Sequence, residues 1–261
     1  MRSRPALWTA TLTLMLAACG GEGASTTTSS LLSSTAQTST TQTSTSLVTT
    51  TTSPVTSTTE SGTTTTTTSG NLPGERIDFG PAAGDIVAVI GVAHDDVLNL
   101  RAAPGADQQI LERIPPRYDS LTALGHTRDL SPSFWIEVDY QGRTGWVNYA
   151  FIAFLGGTTD ATASVIEELG ETPSAATMLE LGMIVAESMA SEEPESDIVL
   201  TSAPDVGDLG EVTYDVVGLG DDAVRGVRLH VFGQPVDEAF TLHTVEMTAL
   251  CGRGEDQGAC V

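Results

Sequence analysis

The sequence predicts a multi-domain chain in which a disordered Ser/Thr-rich linker precedes a small all-β barrel and then a small α+β domain. Three observations predict it. Between Ser25 and Ser69, 34 of 45 residues are Ser or Thr. From residue 84 to 156, short β-branched and aromatic runs recur with Gly or Pro between them and no helical stretch. After residue 160, two segments of helical spacing come first and four of strand spacing follow.

Charge sharpens this division. The 261 residues carry 34 acidic and 11 basic side chains, a formal net charge of -23, and every basic residue is Arg. Such a balance excludes a nucleic-acid-binding protein that relies on a basic surface. Aromatics are only 5% of the chain, so a core must be mostly aliphatic. The charged fraction, 17%, falls below the roughly 25% of ordinary domains, because the linker is nearly uncharged.

The first residues read as an export signal. Arg2 and Arg4 give a basic start, Pro5 to Ala18 is apolar apart from three threonines, and small residues follow. At 14 residues this run is shorter than the roughly 20 needed for a spanning helix. Its end, Leu16-Ala17-Ala18-Cys19, resembles the lipobox of bacterial lipoproteins. The resemblance implies lipidation of the Cys19 sulfur and cleavage before it, with palmitate-like acyl chains mooring the chain to a lipid membrane. It places the protein outside the cytoplasm, on the outer face of the bacterial cytoplasmic membrane or elsewhere in the cell envelope. Two or more chains, at about 0.8 kcal/mol per buried methylene, make a stable anchor.

Ser25 to Ser69 contains one charge, Glu60, and one proline, Pro54. Its apolar content is too thin to offset the entropy of ordering, so it reads as a disordered spacer. As a flexible coil, the stretch from Gly20 to Glu75 would have an end-to-end distance of roughly 40 Å.

The barrel is read strand by strand. Asp85 to Ile90 is a β-branched run between Gly84 and Gly91. Val97 to Arg101 is stopped by Pro104-Gly105, and Ile110 to Ile114 by Pro115-Pro116. Leu121 to Leu124 follows. Phe134 to Tyr140 alternates, with Ile136, Val138 and Tyr140 on one face and Trp135, Glu137 and Asp139 on the other. Gln141-Gly142 turns the chain into Thr144 to Asn148.

Two stretches here resemble the bacterial SH3 (SH3b) family: Leu98-Asn99-Leu100-Arg101-Ala102-Ala103-Pro104-Gly105, and the hairpin from Trp135 to Val147. The resemblance implies a small all-β SH3-like barrel over residues 84–156. The family is similar to cell-wall targeting modules, so the resemblance makes peptidoglycan or its peptides the candidate partner. Family grooves are lined by aromatic and polar residues, which makes Asn99, Arg101, Trp135 and Tyr149 the ligand-binding candidates. Trp146 is assigned to the core. Trp135, opposite the Ile136 face, is expected to be exposed or packed against a loop.

Residues 160–261 read as an acidic α+β domain. Val165 to Leu169 forms a short helix. Thr172-Pro173 supplies an N-cap and first turn for a second helix to about Met189, with Met178, Leu181, Val185 and Met189 at helical spacing. Asp197 to Thr201, Glu211 to Val217, Val224 to Phe232 and Phe240 to Leu250 read as strands. Gly218 to Asp222 turns the middle pair and Gly233-Gln234-Pro235 breaks the next.

Cys251 and Cys260 close a glycine-rich loop. In an exported chain they read as one disulfide, metal ligation and a nucleophilic thiol being the alternatives. A loop of this length gives roughly 2.5 to 3 kcal/mol in the entropic description. No acidic cluster has the alternating pattern and glycine of a calcium loop. His230 and His243 fall on neighbouring strands but lack a third ligand. No catalytic motif, cofactor site or metal site is read. The sequence therefore implies a non-catalytic, membrane-anchored envelope lipoprotein whose acidic domain binds an envelope protein or supports structure. An envelope hydrolase with a carboxylate site in the C-terminal domain is the alternative. The organisation expected is 1–18 signal peptide, 19–75 lipidated cysteine and linker, 84–156 barrel and 160–261 acidic domain.

Overall fold

The computed structural model describes residues 72–261. The signal peptide, Cys19 and the Ser/Thr-rich linker through residue 71 lie outside the described residues. The chain runs β1 (Glu75–Ile77), β2 (Ile86–Val89), β3 (Leu98–Arg101), β4 (Ile110–Ile114), β5 (Leu121–Leu130), β6 (Ser133–Tyr140) and β7 (Arg143–Asn148). A 3-10 turn (Tyr149–Phe151) leads into β8 (Ile152–Asp160). Then come α1 (Thr162–Leu169), β9 (Ser174–Ala175), α2 (Met178–Ser188), β10 (Asp197–Val206), β11 (Gly210–Val217), β12 (Val224–Val236) and β13 (Ala239–Cys251). β14 (Glu255–Asp256) and β15 (Ala259–Cys260) make a terminal hairpin.

The result is mostly antiparallel sheet with few helices. Thirteen strands join in one hydrogen-bonded path, β10-β11-β12-β13-β8-β2-β5-β6-β7-β3-β4, with β1 added to β5 and β9 to β13. Strand β8 is the connector. Its start, Ile152 and Ala153, pairs with β2, and Phe154 to Asp160 pairs with β13. Residues 157–159, between the two domains expected from the sequence, are part of this strand. The described residues fall within one unit.

Each half has its own core. In the N-terminal half, β2 to β8 enclose Val89, Leu100, Ile114, Ile136, Val138, Val147 and Ile152, all buried. The β6–β7 hairpin closes through Gln141 (φ 53°) and Gly142 (φ 85°). Two successive left-handed residues make the turn whose twist matches paired strands. In the C-terminal half, α1 and α2 lay Val165, Met178, Leu181 and Val185 on Val212, Tyr214, Leu229, Val231 and Val245 of the sheet. The close fit depends on Gly182. A Cβ there would sit 2.5 Å from Val212 Cγ1 and 2.6 Å from the Tyr214 ring.

Three sequence expectations are corrected. The second helix starts at Met178, not at Pro173. Ser174 and Ala175 instead pair with Thr241 and Phe240, and Leu242 N–H donates to Pro173 O at 2.9 Å. A Thr177–Glu180 capping box then opens the helix. Gly233-Gln234-Pro235 does not end a strand. β12 absorbs it with an irregularity at Phe232/Gly233 and turns later at Asp237 (φ 54°). The strand starting at Leu121 continues to Leu130, with a register shift between Ala123 and Thr127.

Cys251 and Cys260 form the disulfide. It ties the end of β13 to the terminal hairpin, whose Gly258 carbonyl accepts from Gly157 N–H of β8 at 2.6 Å.

Candidate functional site

The register of β3, β6 and β7 decides which side chains share a face. Leu98 and Leu100 point into the core, so Asn99 and Arg101 face outward. Arg101 lies opposite Trp146, and Asn148 lies opposite Trp135. Asn99, Arg101, Trp135, Trp146 and Asn148 therefore occupy one outer face of the sheet, because Cα partners in an antiparallel pair point the same way. Trp146 is buried, as the sequence suggested, but on this outer face rather than among the aliphatic core residues.

A cleft of about 400 Å³ opens on this face. Asn99, Arg101, Trp135, Asn148 and Phe151 contribute to it, with Asp96 from the preceding loop and Val199 from β10. Trp135 is packed rather than exposed. Only 5% of its surface is accessible, so it offers a small part of its side chain instead of an open platform. Arg101 donates one N–H to Gln108 O at 2.7 Å, and the guanidinium has further donors for a planar acceptor. Asn148 is fixed by its own turn, its Oδ1 accepting from Ala150 N–H at 2.9 Å. The cleft thus combines a cation, a carboxylate, two amides and two aromatic side chains, Trp135 and Phe151, over small apolar side chains. Such a set suits a short polar chain with apolar substituents.

Tyr149 is not part of this cleft. It lines a separate hollow with Phe79, Arg225 and Gly252. Its hydroxyl donates to Gly252 O at 2.5 Å, and the Phe79 ring meets it edge-on at 5.3 Å. The Arg225 guanidinium carbon stands 4.4 Å above its ring. Burial raises the phenol above its ordinary pKa, against the lowering effect of Arg225 and Arg253, so it remains a neutral donor. Arg225 donates to the carbonyls of Tyr149 (2.8 Å) and Ile152 (2.7 Å). Tyr149 therefore works as a joint between the 3-10 turn and the C-terminal sheet.

A second joint is buried. Asp215 is fully inaccessible and Arg228 is 8% exposed. Arg228 donates from Nε to Asp215 Oδ1 (2.7 Å) and from Nη2 to Oδ2 (2.9 Å), and its Nη2 also reaches Val89 O at 2.9 Å. Gly91 N–H donates to the same Oδ2 at 2.9 Å. The pair is bidentate and has four hydrogen bonds, two of them to the N-terminal half. That saturation is what a charge pair needs to offset its desolvation.

The histidines do not assemble a site. His230 Nε2 contacts Glu211 at 2.8 Å and its Nδ1 faces Glu246 at 3.8 Å, so the two carboxylates address opposite ring nitrogens. His243 does not join them: in the register of β12 and β13 His230 stands opposite Glu246. Among the described residues, no group of three or more His, Cys, Asp or Glu side chains is arranged to hold a metal ion.

Residues 96–153 match the family model described as the bacterial SH3 domain. This segment is a bacterial SH3 domain. The match spans less than a quarter of the chain and includes Asp96, Asn99, Arg101, Trp135, Asn148 and Phe151 of the cleft. No curated protein and no solved structure matches the chain. Not foreseen from the sequence are Asp96, Asn148, Phe151 and Val199, together with the apolar lining residues Val92, Ala93 and Ala106. The Asn148-x-Ala150 cap left a local signal. Val199 left none, because it reaches the SH3 domain only through the folded chain.

Proposed function

We propose that this chain is a non-catalytic, lipid-anchored envelope protein whose SH3 domain binds peptides of cell-wall peptidoglycan in the cleft beside Trp135. The observation that carries this reading is the convergence of Asn99, Arg101 and Trp135 in one cleft of a bacterial SH3 domain, a family commonly involved in cell-wall binding. In this reading residues 84–156 are the binding module and 160–261 an acidic supporting domain. Acyl chains on Cys19 hold both to the outer face of the membrane, and the Ser/Thr-rich tether supplies the reach. The non-catalytic assignment is supported by the cysteines: Cys251 and Cys260 are bonded to each other, which leaves neither as a thiolate nucleophile.

Two measurements on the full chain test it. Trp135→Ala should lower binding to purified peptidoglycan sacculi by about tenfold, the order expected of a central aromatic contact. Binding equal to wild type would remove the cleft from the reading. Cys19→Ser should move the protein from the detergent phase to the aqueous phase in a two-phase partition, since lipidation supplies the anchoring energy. Partitioning identical to wild type would contradict the anchor.

A further inference from the structure

We propose that the C-terminal sheet builds one wall of the SH3 cleft, and that Val199 on that wall selects a wall peptide with a small apolar side chain next to a carboxylate. This rests on the cleft reading above and adds a residue outside the SH3 family match.

The register places Val199 there. Val199 and Asp215 are Cα partners in β10 and β11, so their side chains share the face on which Asp215 meets Gly91 of the N-terminal half. Val199 is half-buried and lines the cleft. Two bonds hold the adjoining cleft segment to this sheet. Gly91 N–H donates to Asp215 Oδ2 and His94 N–H to Leu200 O, each at 2.9 Å. Leu200 directly follows Val199, so the second bond fixes the wall residue itself. Val92 and Ala93, between the two bonded positions, also line the cleft.

The chemistry of the wall sets the ligand class. Val92, Ala93, Ala106 and Val199 are small and apolar, the neighbouring cation is Arg101, and the cleft's own carboxylate, Asp96, already accepts from Val97 N–H at 2.7 Å. Small apolar walls accept a methyl-sized group and resist a long or charged one. The unused guanidinium donors of Arg101 suit a carboxylate. Val199, 46 residues beyond the end of the SH3 match, thereby tunes the domain's selectivity.

The test compares binding of the full chain to purified sacculi across four variants. Val199→Arg fills the cleft and should weaken binding about tenfold or more, and Val199→Ala, which removes two methyl groups, should weaken it about fivefold. Val206→Arg is the control. It lies on the same strand, is 58% exposed and does not line the cleft, so its binding should stay within about twofold of wild type. Trp135→Ala reports on the cleft reading itself. Loss in Trp135→Ala with wild-type binding in both Val199 variants would overturn the wall and leave the cleft standing. Wild-type binding in all variants, or none in the unaltered chain, would overturn the cleft reading and the wall with it. Should Val199→Arg fail to fold by circular dichroism, Val199→Ala, too conservative to prevent folding, decides the matter.

Discussion

Replacing Asp215 with alanine should lower the unfolding free energy by about 3 to 5 kcal/mol, the range for removing one partner of a buried ion pair. The carboxylate accepts from Arg228 twice and from Gly91 N–H once. Its loss leaves a nearly inaccessible guanidinium without a counter-charge and a backbone N–H without an acceptor. The surroundings add to the cost. Arg117, whose guanidinium is lowered below its ordinary pKa by burial and then by Arg228, is drawn the other way by Asp215. Without Asp215, the repulsion between Arg228 and Arg117 is opposed by Glu211 alone of the two acids that act on Arg117. Replacing both Asp215 and Arg228 by apolar residues should cost less than Asp215→Ala alone, since no charge is then stranded. Urea denaturation of the three proteins measures this. A loss below about 1 kcal/mol for Asp215→Ala would mean that the pair is hydrated like a surface contact.

Tyr214→Ala should cost a similar amount, about 3 to 5 kcal/mol, as for other buried aromatic truncations. Tyr214 is 1% exposed and its hydroxyl donates to Leu179 O at 3.1 Å. Its ring also occupies the space opposite Gly182 of α2. On an open helix surface, Gly→Ala gains about 1 kcal/mol. At Gly182 the added methyl would press on Val212 and Tyr214, and overpacking of about 1 to 3 kcal/mol outweighs that gain. Gly182→Ala should therefore destabilise the wild type, and by less in a Tyr214→Ala background, where one of the two obstructions is gone. Additive losses in the double variant, measured by thermal or urea unfolding, would show that the helix does not rest on that ring.

What the sequence disclosed follows from the range of each interaction. The SH3 strands were legible because their alternation and turns are local: Gln141-Gly142 reads as a hairpin turn and folds as one. Met178, Leu181 and Val185 were legible as a buried stripe for the same reason. The helix start was misplaced although its own capping box, Thr177 to Glu180, stood five residues on. Pairing of Ser174 and Ala175 with β13, more than sixty residues away, decided that boundary. The same distance effect hid both joints. Asp215 read as one acid among 34 until β11 and β12 brought it to Arg228 and Gly91. Of the candidate site, Asn99, Arg101 and Trp135 were readable through the resemblance to the bacterial SH3 family, and the pairing of β3, β6 and β7 brings them to one face. Tyr149 was misgrouped, since its neighbours Arg225 and Gly252 come from the far end of the chain.

A wall peptide that enters the Trp135 cleft should touch both the SH3 domain and β10. A titration of the isotope-labelled chain with soluble stem peptides released from sacculi, followed by amide and indole resonances, tests it most directly. Shifts should appear together at the Trp135 indole and at the amides of Asn99, Arg101 and Val199, while the buried Trp146 indole holds still. Shifts confined to Phe79 and Tyr149, or no shifts in the cleft at saturating peptide, would contradict it.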